Sequence, residues 1–204
     1  LTYPPQKKMA AARPHPLLFL PPSIWPLIVA AFALLGAPLS AATLGDLTYS
    51  SDGSAITITG CDASATSVEI PATIESLPVT TIANGAFYGR PALRQITIPA
   101  NVNFIGNYAF EECSVLTAIF FAGNAPTLGV DAFNWIGYNA QIYLLNHQAS
   151  GYGTNFAGLP VNSLNPLSYS ISGGAITITD YDTSASGALT IPAEIGGLPV
   201  TSIG

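Results

Sequence analysis

Residues 82–104 read IANGAFYGRPALRQITIPANVNF, residues 105–127 read IGNYAFEECSVLTAIFFAGNAPT, and residues 128–144 start the same line again with LGVDAFNWIGYNAQIYL. In steps of 23 residues, Ile82 meets Ile105 and Leu128, Ala86-Phe87 meets Ala109-Phe110 and Ala132-Phe133, and Ile96-Thr97-Ile98 meets Ile119-Phe120-Phe121 and Ile142-Tyr143-Leu144. Leu93 and Leu116 keep the same step. One such unit is too small to bury its own apolar face, so like residues stack on like in ladders along a coil axis. Within each three-residue strand, alternation sends Ile96 and Ile98 inward and Thr97 outward, and the strands of successive coils form a parallel sheet.

A period of roughly 20 to 29 residues with aliphatic and aromatic positions in fixed phase is the signature of a leucine-rich-repeat solenoid. The fold class is therefore mainly β: a solenoid of short parallel strands, capped by an N-terminal β-hairpin. The run Ile96-Thr97-Ile98-Pro99, Val102, Phe104-Ile105-Gly106, Tyr108-Ala109-Phe110, Cys113 and Leu116 resembles the short repeats of BspA-type bacterial surface proteins. Phe121-Ala122-Gly123-Asn124-Ala125-Pro126 and the run from Gly151 to Pro160 look like that family's closing segment. The resemblance covers nearly all of the chain after its leader. It implies a scaffold whose members bind diverse partners. Arg90 departs from the pattern, for Cys113 one unit later shows the more usual small buried residue.

Upstream of the repeats, Leu47 and Tyr49 alternate on one side of Ser51-Asp52-Gly53-Ser54, with Ile56 and Ile58 on the other. Asp-Gly between alternating runs signals a hairpin, placed here to cover the open end of the coil. Val68-Glu69-Ile70-Pro71 is the first coil strand, and Glu75 to Val79 reads as a five-residue insertion, which makes Ile70 to Ile98 28 residues rather than 23. Such insertions map to side loops. Asn134 to Tyr138 and Asn146 to Pro166 lose the period and read as closing loops. Leu167-Ser168-Tyr169-Ser170 then repeats Leu47-Thr48-Tyr49-Ser50, and Leu198-Pro199-Val200-Thr201 repeats Leu77-Pro78-Val79-Thr80. The organisation is a leader over residues 1–42, a capped repeat module over 43–166, and the start of a second, cut module over 167–204.

In the leader, Met9 and Arg13 precede an apolar run from Leu27 to Leu35 and the small residues Ser40-Ala41-Ala42, the pattern of a secretory signal peptide cleaved near Ala41 or Ala42. Pro21, Pro22 and Pro26 leave the uninterrupted part short of the roughly 20 residues of a membrane span. No membrane insertion is expected after cleavage, although an uncleaved anchor is the alternative reading of Leu17 to Leu44. Beyond residue 42, Arg90 and Arg94 stand against 11 acidic residues, a net charge of −9. Phosphate neutralisation needs clustered Lys and Arg, so nucleic acid and anionic lipid surfaces are excluded as partners.

Catalytic, metal and cofactor sites have little to be built from. His147 is the one histidine after the leader and reads as an exposed loop residue without an oriented partner. Glu111-Glu112 reads as a solvated face. Asp180-Tyr181-Asp182 is a polar turn with too few ligands for a calcium cage. Cys61 and Cys113 fall about 10 Å apart at roughly 4.8 Å per coil, beyond the about 7 Å a disulfide spans. Cys113 is then a small ladder residue in phase with Ile136.

The candidate binding residues lie on the outward row Glu69, Thr97, Phe120 and Tyr143, where two aromatics adjoin on a face that alternation sets outside the core. Phe120 and Tyr143, with Gln141 and Gln95 beside them, form an aromatic strip of the kind that marks binding sites. Alternatively, closing loops around Trp135, Tyr138 and Tyr152 cover the two rings and finish the core. The expected function is a secreted or cell-surface, non-catalytic protein that mediates protein or glycan interaction, without cofactor. The alternatives are a passive spacer or an accessory module of a larger extracellular enzyme.

Overall fold

The computed structural model describes residues 41–163, 167–183 and 189–204. Residues 1–40 of the expected leader lie outside the described residues, while Ala41 and Ala42, near which cleavage is expected, are described, Ala42 as the first residue of a strand. No helix occurs among those described, and none there is long and apolar enough to cross a membrane.

An N-terminal cap comes first: β1 (Ala42–Leu44), β2 (Leu47–Ser51) and β3 (Ile56–Cys61) pair antiparallel in turn. The β2-β3 hairpin closes where Asp52 accepts the amides of Ser54 and Ala55, each at 2.8 Å, while Gly53 takes φ +88°. These bonds favour the carboxylate and hold the Asp52 carboxyl below its ordinary range. The coil follows with β4 (Ser67–Glu69), β5 (Thr73–Ile74) and β6 (Leu77–Ile82), then β7 (Gln95–Ile98), β8 (Phe104–Ile105), β9 (Ala118–Phe121), β10 (Thr127–Leu128) and β11 (Gln141–Leu144). β12 (Asn155–Phe156) and β13 (Leu159–Ser163) end the first module. A second cap hairpin, β14 (Leu167–Ser172) and β15 (Ala175–Tyr181), leads to β16 (Glu194–Ile195) and β17 (Leu198–Ile203).

Two sheets wrap the core. One runs β1-β2-β3-β6-β8-β10 with β5 on β6, and the other runs β12-β13-β11-β9-β7-β4. In the second, Val68, Ile96, Ile119, Ile142 and Val161 stand in one register, so the 23-residue step becomes a ladder across parallel strands. Ile96, Ile119 and Ile142 have no exposed surface. On the turn side, Phe87, Phe110 and Phe133 stack with centroids 4.8 and 4.9 Å apart and planes within 7°. That spacing matches the distance between neighbouring strands.

The turns are also stitched from coil to coil. Asn84 Oδ1 accepts the amide of Asn107 at 2.8 Å, and Asn107 Oδ1 accepts that of Val130 at 2.8 Å. Glycine follows from this closeness: a methyl group on Gly106 would lie 2.5 Å from the Asn84 nitrogen and 2.7 Å from the Ala83 carbonyl carbon.

Three segments expected as loops or turns are strands. Glu75 to Val79 is no side loop, since Glu75 (φ 53°) and Ser76 (φ 66°) make a two-residue turn between β5 and β6, and β6 joins the first sheet parallel to β3. The closing stretch repeats the device: Ala157 (φ 56°) and Gly158 (φ 80°) turn β12 into β13, which adds to β11 in parallel. Val79, Val161 and Val200 each donate to the residue seven positions earlier, Ala72, Thr154 and Ala193, at 3.0, 3.2 and 2.9 Å. Leu-Pro-Val is thus one hairpin used three times. Asp180 and Tyr181 end β15 rather than forming a turn, with the Asp180 carboxylate on the Tyr181 amide at 2.8 Å.

Cys61 and Cys113 are free and buried. The Cys113 thiol donates to the Phe87 carbonyl at 2.9 Å, and burial pushes its pKa up to about 11. Burial likewise raises Cys61, against the opposing charge of Arg90 nearby. The Arg90 Nε is buried without a hydrogen-bond partner. This is the ladder position where Arg90 departs from the pattern.

Candidate functional site

The second sheet carries the outward row Glu69, Thr97, Phe120, Tyr143 and Asn162 in register. The rings of Phe120 and Tyr143 do stand side by side, 5.2 Å between centroids and 28° between planes. The exposed strip expected there is not exposed, however. Phe120 has 0% of its surface accessible and Tyr143 is half-buried. Their cover is the second module: Leu167, Tyr169, Ile176, Ile178, Ile195 and Leu198 close a second apolar cluster around Phe120, Ala118 and Leu145.

The expected closing loops do not supply that cover. Trp135 and Tyr138 are 73% and 100% exposed, and Tyr152 packs on the inward Phe121 at 5.3 Å with its hydroxyl on the Gly123 carbonyl at 3.0 Å. The flanking glutamines already have partners. Gln141 Oε1 accepts from the Tyr143 hydroxyl and from Asn162, each at 3.0 Å, and Gln95 donates to Ser67 at 2.8 Å. Burial raises the Tyr143 phenol and the Glu69 carboxyl alike.

Where the second cap hairpin crosses the end of β11, His147 Nδ1 meets Ser168 Oγ at 2.6 Å, and the His147 amide donates to the same oxygen at 3.2 Å. His147 is therefore half-buried and bonded, not the free loop residue expected. Asp180 lines the same cavity of about 290 Å³. A nucleophilic triad needs a base oriented by a third group. Here Ser168 is buried, and the Asp180 carboxylate is held by the amide next to it. The pair clamps β14 to the segment that follows β11. Among the described residues no group of three His, Cys, Asp or Glu is placed to hold a metal ion.

A second surface, which the strand alternation does not report, lies over the Ala-Phe turns. Gly85, Tyr108 and Asp131 occupy one column at φ 60°, 56° and 52°, and Gly89, Glu112 and Trp135 occupy another at 61°, 61° and 54°. The left-handed region costs an L residue roughly 1–2 kcal/mol, so the first coil uses glycine in both columns. The next two coils place Tyr108, Glu112, Asp131 and Trp135 there instead, with Tyr108 43% and Trp135 73% exposed. Backbone strain held at exposed side chains is a pointer to function. Tyr88, 45% exposed, hydrogen-bonds the Glu112 carboxylate, which raises its phenol. The signal was present in the sequence as Gly85 and Gly89 in phase with Tyr108 and Glu112.

The family described as the BspA type leucine rich repeat region matches residues 59–167, in 6 copies. Among solved structures, the chain is similar to a leucine-rich repeat protein from Bacteroides capillosus ATCC 29799, at 23% identity and TM-score 0.40, over 52% of this chain and 98% of that one. It is also similar to the T. pallidum leucine rich repeat protein, at 23% identity and TM-score 0.42, over 61% and 64%. A leucine rich cell surface protein from Faecalibacterium prausnitzii A2-165 aligns at 16% identity and TM-score 0.41, over 82% and 70%. No curated protein matches the chain.

Proposed function

This chain belongs to the BspA-type leucine-rich-repeat family, and on that premise we propose that it is a secreted or cell-surface protein that binds a protein or glycan ligand without catalysing a reaction. The observation that carries the reading is the turn face, where Tyr88, Tyr108 and Trp135 stand exposed on turns that also carry Glu111, Glu112 and Asp131. Aromatic rings supply contact area at low entropic cost, and the carboxylates supply acceptors for hydroxyl or amide donors. No lysine or arginine follows Arg94, so the ligand is neutral or cationic. The leader pattern supports export.

Glycan arrays and pull-downs from cell-surface extracts with residues 43–204 test this, with Trp135→Ala and Tyr108→Ala beside the parent. Binding lost in both variants at unchanged melting temperature is the expected result. Binding retained in both refutes the turn face. One observation favours the spacer reading instead, namely the broad apolar seat by which one module rests on the next. Absence of any ligand in both assays favours that reading.

A further inference from the structure

The two modules open with the same hairpin but do not share the turn that follows it. Ile74-Glu75-Ser76-Leu77 in the first corresponds to Ile195-Gly196-Gly197-Leu198 in the second. The backbones agree: Glu75 and Ser76 take φ 53° and 66°, and Gly196 and Gly197 take 58° and 78°. Glycine at 196 is therefore not needed to make the turn, because Glu75 makes it with a side chain. Contact explains it. A methyl group on Gly196 would lie 2.6 Å from Phe120 Cζ and 3.1 Å from Tyr143 Cε2, whereas one on Gly197 would meet nothing within 4 Å.

A second observation points the same way. In the first module, the Tyr49 hydroxyl donates to Glu75 Oε1 at 3.0 Å. Its counterpart Tyr169 is 3% exposed, and its hydroxyl is buried with no hydrogen-bond partner. The second module has given up the acceptor that the first keeps, and an unmet buried hydroxyl is a penalty. Closure over the rings offsets it. A glutamate in place of Gly196 could accept from the Tyr169 hydroxyl as Glu75 does from Tyr49, but only with its Cβ 2.6 Å from Phe120 Cζ and its carboxylate buried in an apolar cluster that holds no cation.

We infer that the Phe120–Tyr143 ring pair is a docking seat selective for a module whose opening turn begins with glycine, and that Glu75 bars the opening of a first module, on this or another copy of the chain, from the same seat. The order of modules is thereby written into one side chain. The Ser168–His147 clamp and the Tyr169 amide on the Leu145 carbonyl, at 2.8 Å, align whatever module the seat admits.

Hydroxyl-radical footprinting of the full chain, read by mass spectrometry at Phe120 with the first-module core residue Phe110 as internal control, tests the seat. The double variant Gly196→Glu, Gly197→Ser writes the first module's turn into the second. Oxidation of Phe120 should rise several-fold while Phe110 stays protected. Gly197→Ala, strained in the same way but facing open space, should leave Phe120 protected. Phe120 protection unchanged in the double variant overturns the inference, as does equal exposure of Phe120 in Gly197→Ala. If the double variant exposes Phe110 as well, Gly196→Ala against Gly197→Ala decides: greater oxidation of Phe120 in the former supports the seat, and equal oxidation overturns it.

Discussion

Phe110→Ala tests the coil where its energetics are most concentrated. Phe110 is fully buried, with a phenylalanine on each side at 4.8 and 4.9 Å, and its amide donates to the Ala132 carbonyl of the next coil at 2.8 Å. Truncating a buried phenylalanine costs about 3–5 kcal/mol through lost transfer energy and the cavity left behind. Each near-parallel ring contact is worth about 0.5–1.5 kcal/mol beyond area burial. Phe110 has two such contacts, whereas Phe87 and Phe133 have one each within the ladder, so Phe110→Ala should lie at the top of the range and the two flanking variants about 1 kcal/mol below it. Thr97→Ala, on the outer face, should stay within about 0.5 kcal/mol of the parent. Urea unfolding followed by far-UV circular dichroism measures all four. Because coils contact only their neighbours, a gap in the middle should also broaden the transition. Equal losses at Phe110 and Thr97 would refute the stacked-coil reasoning.

The remaining predictions concern packing and titration. Gly106→Ala drives a methyl into the Asn84 backbone and should lower stability by about 1–3 kcal/mol, an overpacking effect that thermal melts would read directly; a melt unchanged from the parent would mean the coils can part without cost. The Cys113 thiol ionises at about 11 in the fold, above its ordinary value near 9, because burial disfavours the thiolate. The folded state therefore holds its proton where the unfolded state has lost it, so the contribution is intact below pH 9 and is lost as pH rises through 11. The slope is at most about 1.4 kcal/mol per pH unit, and Cys113→Ala should flatten it between pH 9 and 10. Identical slopes in parent and variant would place the thiol outside the buried ladder.

Much of the fold was legible because it is written locally and then repeated. The 23-residue step placed Ile96 on Ile119 and Ile142, and Phe87 on Phe110 and Phe133, since stacking neighbours must share residue types at shared phase. The Asp-Gly turn announced the cap hairpin because Asp52 can satisfy two amides within its own turn. Less legible were β5-β6 and β12-β13. Their two-residue turns hold Glu75, Ser76 and Ala157 in the left-handed region, and residues of those types do not advertise it.

The candidate site divides along the same line. Alternation alone sent Phe120 and Tyr143 to the outer side of the sheet, and they are there. What rests on that side is decided by residues 167–204, which share no local signal with residues 118–145 and meet them only through the tertiary fold. A strand's period tells which way a side chain points, not whether water or another module lies beyond it. The 23-residue period by itself determined the coil, its ladders and its outward row, because those follow from nearest-neighbour stacking. Only the tertiary structure decided that the row is a seat rather than a surface, because that depends on the close approach of Gly196 to Phe120, where even a methyl group would lie 2.6 Å from the ring and a side chain like that of Glu75 has no room.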